Sequence, residues 1–377
     1  MTDFIWILII LVSFVLTVGS LFLLRAFEES EKTDAAQSRR LIRRGGMVCL
    51  AVAFLAMLYF GIRHPMNLLM IPLHYCGFLV VAILADGIRE LARKGKRENK
   101  AAGSRIAGLL GAFLGCLFYL GVGLLAANLV RRTAYNITTE KKLPCEELCV
   151  VQISDVHLGT TMDNGDLEAL VKRVLAEKPD IVAVTGDFTD SGTSREIMLR
   201  GCEALGKLAA ECEVYFVDGN HDVPDGDAAF TLEELQAALT AQNVRVLNDE
   251  AVLAKGGVCV IGRRDRTEKH LSMAQLTKDI NPELYTIVLD HQPDEFDEES
   301  GAGVDLVLCG HLHGGYILPL RWFAPLLTGM IGEADRIYGR EERGSTVFVV
   351  NSGAGTWGID FKTGAFSEYV VIRIKNK

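Results

Sequence analysis

Five short polar motifs contain the residues of this chain that could bind metal ions. Each motif combines Asp, Asn or Gly with His or Asp, and five of the eight histidines lie in these motifs. The candidate metal ligands are Asp155, His157, Asp187, Asn220, His291, His311 and His313. Carboxylate, imidazole and amide groups without thiolates suit Mn, Fe, Zn or similar divalent ions. The number of ligands is sufficient for two such ions, and the ligand types do not choose among these metals.

Taken singly, most of these motifs have an ordinary structural explanation. Asp and Gly-Asn are common in turns, and a lone His such as His291 is usually structural. The pair His311 and His313 is more specific, because three flanking glycines allow the backbone to approach a bound ion closely. All five motifs directly follow apolar runs typical of strands. That coincidence favours one shared site at the strand ends.

Strands and helices alternate in the part of the chain that carries the motifs. The predicted strands cover residues 148–153, 181–185, 214–217, 244–247, 251–253, 258–261, 286–289, 305–308, 346–350 and 368–374. Helical spacing of apolar residues occurs at 167–175 and roughly 195–211, and Thr231 with Glu234 predicts a capping box for a further helix. This pattern predicts a layered α/β sandwich.

The first third of the chain is apolar, with stretches near residues 4–24, 47–62, 65–85 and 106–130. A membrane-spanning helix needs about 20 apolar residues, and only the second stretch is short. We therefore predict three regions. They are a four-helix transmembrane region over residues 1–130, a linker over 131–147 and a soluble domain over 148–377.

The charged loops give an orientation for this membrane region. Residues 25–46 and 86–105 are rich in Lys and Arg, and basic loops stay in the cytoplasm. With four spans, the soluble domain is then predicted to lie outside the plasma membrane. The basic pairs at 131–132 and 141–142 favour the opposite side, and one miscounted span would reverse the orientation.

Charge and cysteine content exclude two other classes of site. Residues 1–142 contain 18 Lys and Arg against 9 Asp and Glu, whereas residues 143–377 contain 21 against 39. Such an acidic domain is poorly suited to binding nucleic acid over a broad surface. None of the nine cysteines forms a C-x-x-C pair, so a structural zinc site is not expected. Pairing of Cys202 with Cys212 stays open, and no protein partner is predicted.

The five motifs resemble, in order and rough spacing, those of the calcineurin-like metallophosphoesterase superfamily, over about residues 148–374. The pattern is D-x-H, G-D, G-N-H-D, a lone His and G-H-x-H. A bacterial membrane-associated branch is most similar, because it also has H-Q-P-D and S-x-G-x-G-T-W, here at 291–294 and 352–357. Two departures, Tyr316 in place of a usual Gln and the pair Arg263-Arg264, could lie near a substrate pocket and affect substrate preference.

The resemblance implies a four-layer α/β/β/α sandwich and hydrolysis of a phosphoester by a metal-bridged hydroxide at a dinuclear centre. It divides the ligands between Asp155, His157 and His313 at one metal, Asn220, His291 and His311 at the other, and Asp187 as the bridge. His221 would act at the leaving-group oxygen, and Asp222 would support it.

The substrate class stays open between monoesters and diesters. Membrane attachment favours a lipid-linked phosphate or a cell-envelope phosphodiester, and the apolar stretch 320–330 is either a lid, a lipid-facing edge or part of the core. The alternative function is a non-catalytic, membrane-tethered binding or scaffold module with the same fold. A missing ligand would indicate that alternative, and none of the expected ligands is missing.

Overall fold

The computed structural model of the chain describes residues 59, 66–92, 101–143, 145–223, 228–254, 257–317 and 334–377. The described residues divide into two compact units. One comprises residues up to Gly123 together with Gly358–Asp360, and the other comprises Leu124–Trp357 with Phe361–Lys377.

Two long helices are described in this part of the chain, α1 (Met66–Ala92) and α2 (Ala101–Asn128), and the last residues of α2 belong to the second unit. Within them, Met70–Arg89 and Leu110–Asn128 have mean hydropathies of 1.8 and 2.1, and each is long and apolar enough to cross a membrane. These segments overlap the third and fourth apolar stretches of the sequence. The first two predicted stretches, apart from Tyr59, lie outside the described residues.

The second unit contains two six-stranded mixed sheets. The strands of the first sheet are β1 (Arg131–Thr139), β2 (Glu147–Ile153), β3 (Ile181–Thr185), β4 (Glu213–Val217), β5 (Arg245–Val246) and β12 (Glu368–Asn376). Their order is β1-β12-β2-β3-β4-β5, and only β12 and β2 pair in antiparallel fashion.

The strands of the second sheet are β6 (Glu250–Leu253), β7 (Cys259–Gly262), β8 (Thr286–Leu289), β9 (Leu306–Cys309), β10 (Gly339–Arg343) and β11 (Thr346–Val350). Their order is β10-β11-β9-β8-β7-β6, with antiparallel pairs at its two edges. The central strands of both sheets run parallel, so their carboxyl ends share an edge where polar side chains can meet.

Three apolar cores hold these elements together. The helices of the second unit are α3 (Asn164–Ala176), α4 (Arg195–Ala209), α5 (Leu232–Ala241), α6 (Met273–Thr277) and α7 (Phe296–Gly301). The first three pack on the first sheet, and α6 and α7 pack on the second. A third core joins both sheets through residues such as Ile181 and Ile287. All of β3 is buried, because apolar cores cover both of its faces.

The structure confirms most of the predicted elements and corrects one boundary. Thr231 and Glu234 form the expected capping box of α5. The linker predicted over residues 131–147 is wrong for Arg131–Thr139, because these residues pair with β12 along their whole length. Strand β1 is largely polar and exposed, so its hydrophobicity gave no signal. Cys202 and Cys212 are both free thiols.

Candidate metal centre

The predicted ligands follow strands β2, β3, β4, β8 and β9, and most of them have unusual backbone conformations. Positive φ angles occur at Asp155, His157, Asp187, His311 and His313, with values of 49°, 45°, 52°, 74° and 47°. Such angles are uncommon outside glycine and cost roughly 1–3 kcal/mol each. Five strained residues at neighbouring strand ends indicate a site where side-chain direction is under strong constraint.

One group of candidate ligands comprises Asp155, His157 and His313, whose ligand atoms all lie within 4.8 Å of one another. The Nε2 atoms of His157 and His313 are 3.2 Å apart, and Asp155 Oδ1 lies 3.6 Å from His313 Nε2. All three side chains are buried. A cation shared by the facing ring nitrogens and the carboxylate would stabilise this arrangement.

A second group comprises Asp187, His291 and His311. Asp187 Oδ2 lies 3.2 Å from His291 Nε2 and 3.5 Å from His157 Nε2, so its carboxylate contacts both groups. His291 Nδ1 donates a hydrogen bond to the Thr185 carbonyl at 2.9 Å. When Nδ1 carries the proton, the lone pair of His291 Nε2 faces Asp187. This tautomer of the ring is the one that binds metals through Nε2.

Unsatisfied buried atoms test whether these residues fit metal ions. Among the described residues, ligand-type atoms without a hydrogen-bond partner include Asp155 Oδ2, Asn220 Oδ1, His291 Nε2 and His311 Nδ1. Buried polar groups are normally paired, because each unpaired one costs about 1–3 kcal/mol. Four such atoms on predicted ligands fit the binding of divalent cations.

The electrostatic environment favours a metal-binding state at two of the ligands, Asp187 and His311. Burial alone would raise the pKa of Asp187, but the neighbouring His291 and His157 rings outweigh it and hold this pKa well below its usual range. Burial, together with the adjacent His291, lowers the pKa of His311 to about 4. An ionised Asp187 and a neutral His311 are both competent as metal ligands.

Two glycines allow the loops to approach one another. A Cβ at Gly219 would collide with the carboxylate and backbone nitrogen of Asp187, and one at Gly310 would collide with Ser154 and Asp155. Glycine is therefore required at both positions by direct contact with candidate ligands.

His221 lies at the more open side of the centre, and its side chain is 24% exposed. Its ring packs edge-on against His157 at 5.1 Å, and its Nδ1 lies 3.7 Å from Asp190 Oδ1. Burial acts to lower the pKa of His221, but Asp190 and Asp187 outweigh it and raise the pKa above its usual value. His221 can therefore carry a proton near neutral pH.

The prediction that Asp222 supports the His221 ring is wrong. Asp222 accepts hydrogen bonds from the backbone N–H groups of Phe188, Thr189 and Gly219, at 2.8–3.2 Å. It therefore ties the loop after β4 to the loop after β3. The carboxylate nearest the His221 ring belongs to Asp190, which also lies 3.4 Å from His157 Nδ1.

The two departures from the family pattern have different environments. Arg263 is buried, and its guanidinium pairs with Asp290 at 2.7 Å; it points into a buried carboxylate cluster, contrary to the expectation of a place near the pocket. Arg264 lines a cavity of about 460 Å³ that none of the predicted ligands lines. The Tyr316 ring, in contrast, lies 4.6 Å from the His313 ring.

Sequence reasoning missed three residues that support the centre: Asp190, the Thr185 carbonyl and Lys362. Asp190 is the last residue of the Gly186–Asp190 motif. Its place three residues after Asp187 was the one feature of the sequence that could have marked it as part of the centre. Lys362 Nζ is fully buried and donates to the carbonyls of Ser352 and Gly353 at 2.6 and 3.2 Å. No motif marked Lys362. The apolar stretch 320–330 lies outside the described residues.

Comparison with known proteins identifies a family that this chain matches in sequence. A family model for calcineurin-like phosphoesterases matches residues 149–315. An uncharacterized metallophosphoesterase of Aquifex aeolicus is 31% identical over 255 residues, which cover 66% of this chain and 93% of that protein.

Two longer relatives also match this chain. An uncharacterized metallophosphoesterase of Campylobacter jejuni is 28% identical over 236 residues, covering 62% of this chain and 60% of that protein. A transmembrane protein with metallophosphoesterase domain from Danio rerio is 29% identical over 250 residues, covering 62% of this chain and 55% of that protein. The match thus spans less than two thirds of the length of these two relatives. The motifs, their geometry and these similarities together show that the chain belongs to the calcineurin-like phosphoesterase family, the metallophosphoesterases.

Proposed function

We propose that this chain hydrolyses a phosphoester with two divalent metal ions at the centre described above. The observation that carries the proposal is the pair of Asp/His groups that share the Asp187 carboxylate. Both groups contain buried ligand atoms without a partner among the described residues. A single ion would leave one of the two groups unsatisfied.

We assign Asp155, His157 and His313 to the first ion, Asn220, His291 and His311 to the second, and Asp187 to both. When bound, the two ions would supply positive charge that polarises the phosphoryl group and activates water near neutral pH. The protein's own contribution is to fix the ligand directions, through the strained backbone and through the Thr185 carbonyl behind His291.

His221 is assigned the role of proton donor to the leaving-group oxygen. Its partial exposure leaves its ring accessible to a substrate, and Asp190 and Asp187 raise its pKa, which favours the protonated ring. Such a donor contributes roughly 10²–10⁴-fold to the rate. Asp190 takes the supporting role that the sequence assigned to Asp222, because it is the carboxylate beside the His221 ring.

We further propose that the two sheets and their helices form a four-layer α/β/β/α sandwich attached to a multi-pass helical membrane region. The two spanning-length helices support membrane attachment, as does the similarity to a relative named as a transmembrane protein. A lipid-linked phosphate or a cell-envelope phosphodiester is then the favoured substrate, since the site would be held near a bilayer.

The basic loops at 25–46 and 86–105 support an extracytoplasmic position for the enzyme domain. Fusions of alkaline phosphatase and of green fluorescent protein to the C-terminus would test this in a bacterial host. Phosphatase activity without fluorescence is expected, and fluorescence without phosphatase activity would place the domain in the cytoplasm.

The proposed activity is tested with the full-length chain in detergent, with bis-p-nitrophenyl phosphate and p-nitrophenyl phosphate as substrates. We expect Mn²⁺-dependent hydrolysis that chelation removes and that Asp187→Asn and His311→Ala abolish. The ratio of diester to monoester turnover would narrow the substrate class. Failure to bind any metal would refute the proposal and favour the scaffold alternative.

A further inference from the structure

We propose that Trp357 is a specificity-determining residue that forms one wall of the leaving-group subsite and selects esters whose leaving group presents a flat, apolar ring face. This inference rests on the proposed function. It concerns a residue to which neither the metal chemistry nor the proton donor assigns a role.

The position of Trp357 is fixed by hydrogen bonds to the loop that carries the first ligands. Ala354 N and Gly355 N donate to the carbonyls of Ser154 and Asp155, each at 2.8 Å. One residue before the indole, Thr356 N donates to Thr161 Oγ1 at 2.9 Å. The segment leading to Trp357 is therefore held against the metal-binding motif by main-chain contacts.

A reciprocal pair of hydrogen bonds joins Trp357 to Tyr316. The Trp357 backbone N–H donates to Tyr316 Oη at 3.0 Å, and that hydroxyl donates to the Trp357 carbonyl at 3.1 Å. The Tyr316 ring lies 4.6 Å from the His313 ring, whereas the Trp357 ring lies 4.8 Å from the His221 ring. The two aromatic residues thus extend from a candidate ligand to the proposed proton donor.

The indole itself is exposed beside that donor. Trp357 is 42% exposed, although it is large and apolar, and its ring is tilted by 42° to the His221 ring. A leaving group protonated by His221 must lie next to the His221 ring, and so next to the indole. Aromatic surfaces recognise flat apolar groups through offset or edge contacts, which strengthen binding beyond simple burial.

A role in orienting His221 is the competing explanation for the same contact. The two roles predict different results, because orientation affects every substrate and recognition affects only leaving groups with a ring face. Residues 143–377 are acidic and would repel a polyanion. We therefore expect the ring of the leaving group to be neutral or positively charged.

The test compares phenyl and hexafluoroisopropyl phosphoesters, whose leaving groups have similar acidity but only one of which is flat. Full-length wild-type chain, Trp357→Leu and Trp357→Phe are loaded with Mn²⁺, and their metal content and thermal unfolding are recorded. We expect Trp357→Leu to lose about threefold to tenfold in kcat/KM for the phenyl ester alone. Trp357→Phe should retain most of the wild-type preference.

Three results decide against the inference. An equal loss on both esters assigns Trp357 to orienting His221, and an unchanged phenyl preference in Trp357→Leu removes any role in selection. If wild type hydrolyses neither ester, competition between phenylphosphonate and methylphosphonate for the metal-loaded protein tests the role of Trp357 without turnover, whereas the proposed function itself fails if the chain binds no metal. If wild type binds phenylphosphonate more tightly than methylphosphonate and Trp357→Leu does not, the result supports recognition of the ring by Trp357. Equal binding of the two phosphonates by wild type would overturn it.

Discussion

The buried wall of the centre, formed by Asp155, His157, Asp187, His291 and His313, differs sharply from its open side, formed by His221 and Trp357. The wall histidines are at most 3% exposed, whereas the two residues of the open side are 24% and 42% exposed. Strained backbone angles occur throughout the wall except at His291. The difference indicates that metal binding is built into the rigid strand ends, and that selection of the substrate is left to accessible side chains.

The largest effect is expected from Asp187→Asn, which removes the charge that both halves of the wall share. Metal content and activity should fall together. The loss should exceed the ~10–100-fold that is typical when a residue bonded to a metal ligand, rather than a ligand itself, is replaced. Element analysis and diester hydrolysis measure the two quantities. Asp279→Asn is the matched control, because Asp279 is 87% exposed. Full activity in Asp187→Asn would show that the wall does not hold the metals.

A second prediction tests the close packing of the wall without changing a ligand. Gly219→Ala places a Cβ against Asp187, whereas a Cβ at Gly192 meets nothing within 4 Å. We expect Gly219→Ala to lose about 100-fold in kcat, because displacing a reacting group by about 1 Å has this effect. Gly192→Ala should behave as wild type. Equal activities of the two variants would mean that the wall tolerates displacement.

The third prediction separates the roles of two carboxylates, Asp190 and Asp222. Asp190→Asn should lower kcat by about 10–100-fold, because Asp190 faces the His221 and His157 rings. It should lower the unfolding temperature less than Asp222→Asn, because Asp190 accepts a bond from one backbone N–H and Asp222 from three. Asp222→Asn should instead lower the free energy of unfolding by about 1–3 kcal/mol, because it loses bonds to buried backbone N–H groups. Kinetics and thermal unfolding of both variants check this. The reverse pattern would restore Asp222 as the partner of His221.

The smallest effect on activity is expected from Lys362, whose Nζ bonds to the backbone carbonyls of Ser352 and Gly353. Burial lowers the pKa of Lys362 from 10.5 to about 7, which opposes the raising effect of Asp155. Between these values the unfolded chain binds a proton that the folded chain does not. The Lys362 contribution to stability therefore rises with pH across this window, by at most ~1.4 kcal/mol per pH unit.

Chemical denaturation of wild type and Lys362→Met at pH 7 and pH 9 measures this contribution. The stability difference, wild type minus variant, should increase between the two pH values. Lys375→Met provides the control, because Lys375 is exposed and paired with Glu147. An identical pH dependence for wild type and Lys362→Met would show that this lysine keeps its proton in the folded protein.

The wall could be predicted from sequence because its chemistry is local. Each ligand motif follows an apolar strand, and parallel strands bring their carboxyl ends to one edge. Asp187 and His291, 104 positions apart in the chain, are therefore expected to meet once the strands are placed.

The open side and its supports could not be predicted in the same way. Asp222 adjoins His221 in the chain, yet its carboxylate turns to the backbone of the neighbouring loop. The contact between Trp357 and His221 joins loops that have no pairing rule, and Lys362 bonds to carbonyls that any residue could provide. Strand β1 was missed for a related reason, because it follows β12 through backbone bonds and carries few apolar residues.

The most direct test of the two-metal assignment is a titration of Mn²⁺ into the metal-free, full-length chain while hydrolysis of bis-p-nitrophenyl phosphate or p-nitrophenyl phosphate is followed. We expect no activity without metal and a rate that saturates at two equivalents per chain. A rate that is independent of Mn²⁺ and of chelator, or a chain that binds no ion, would contradict it.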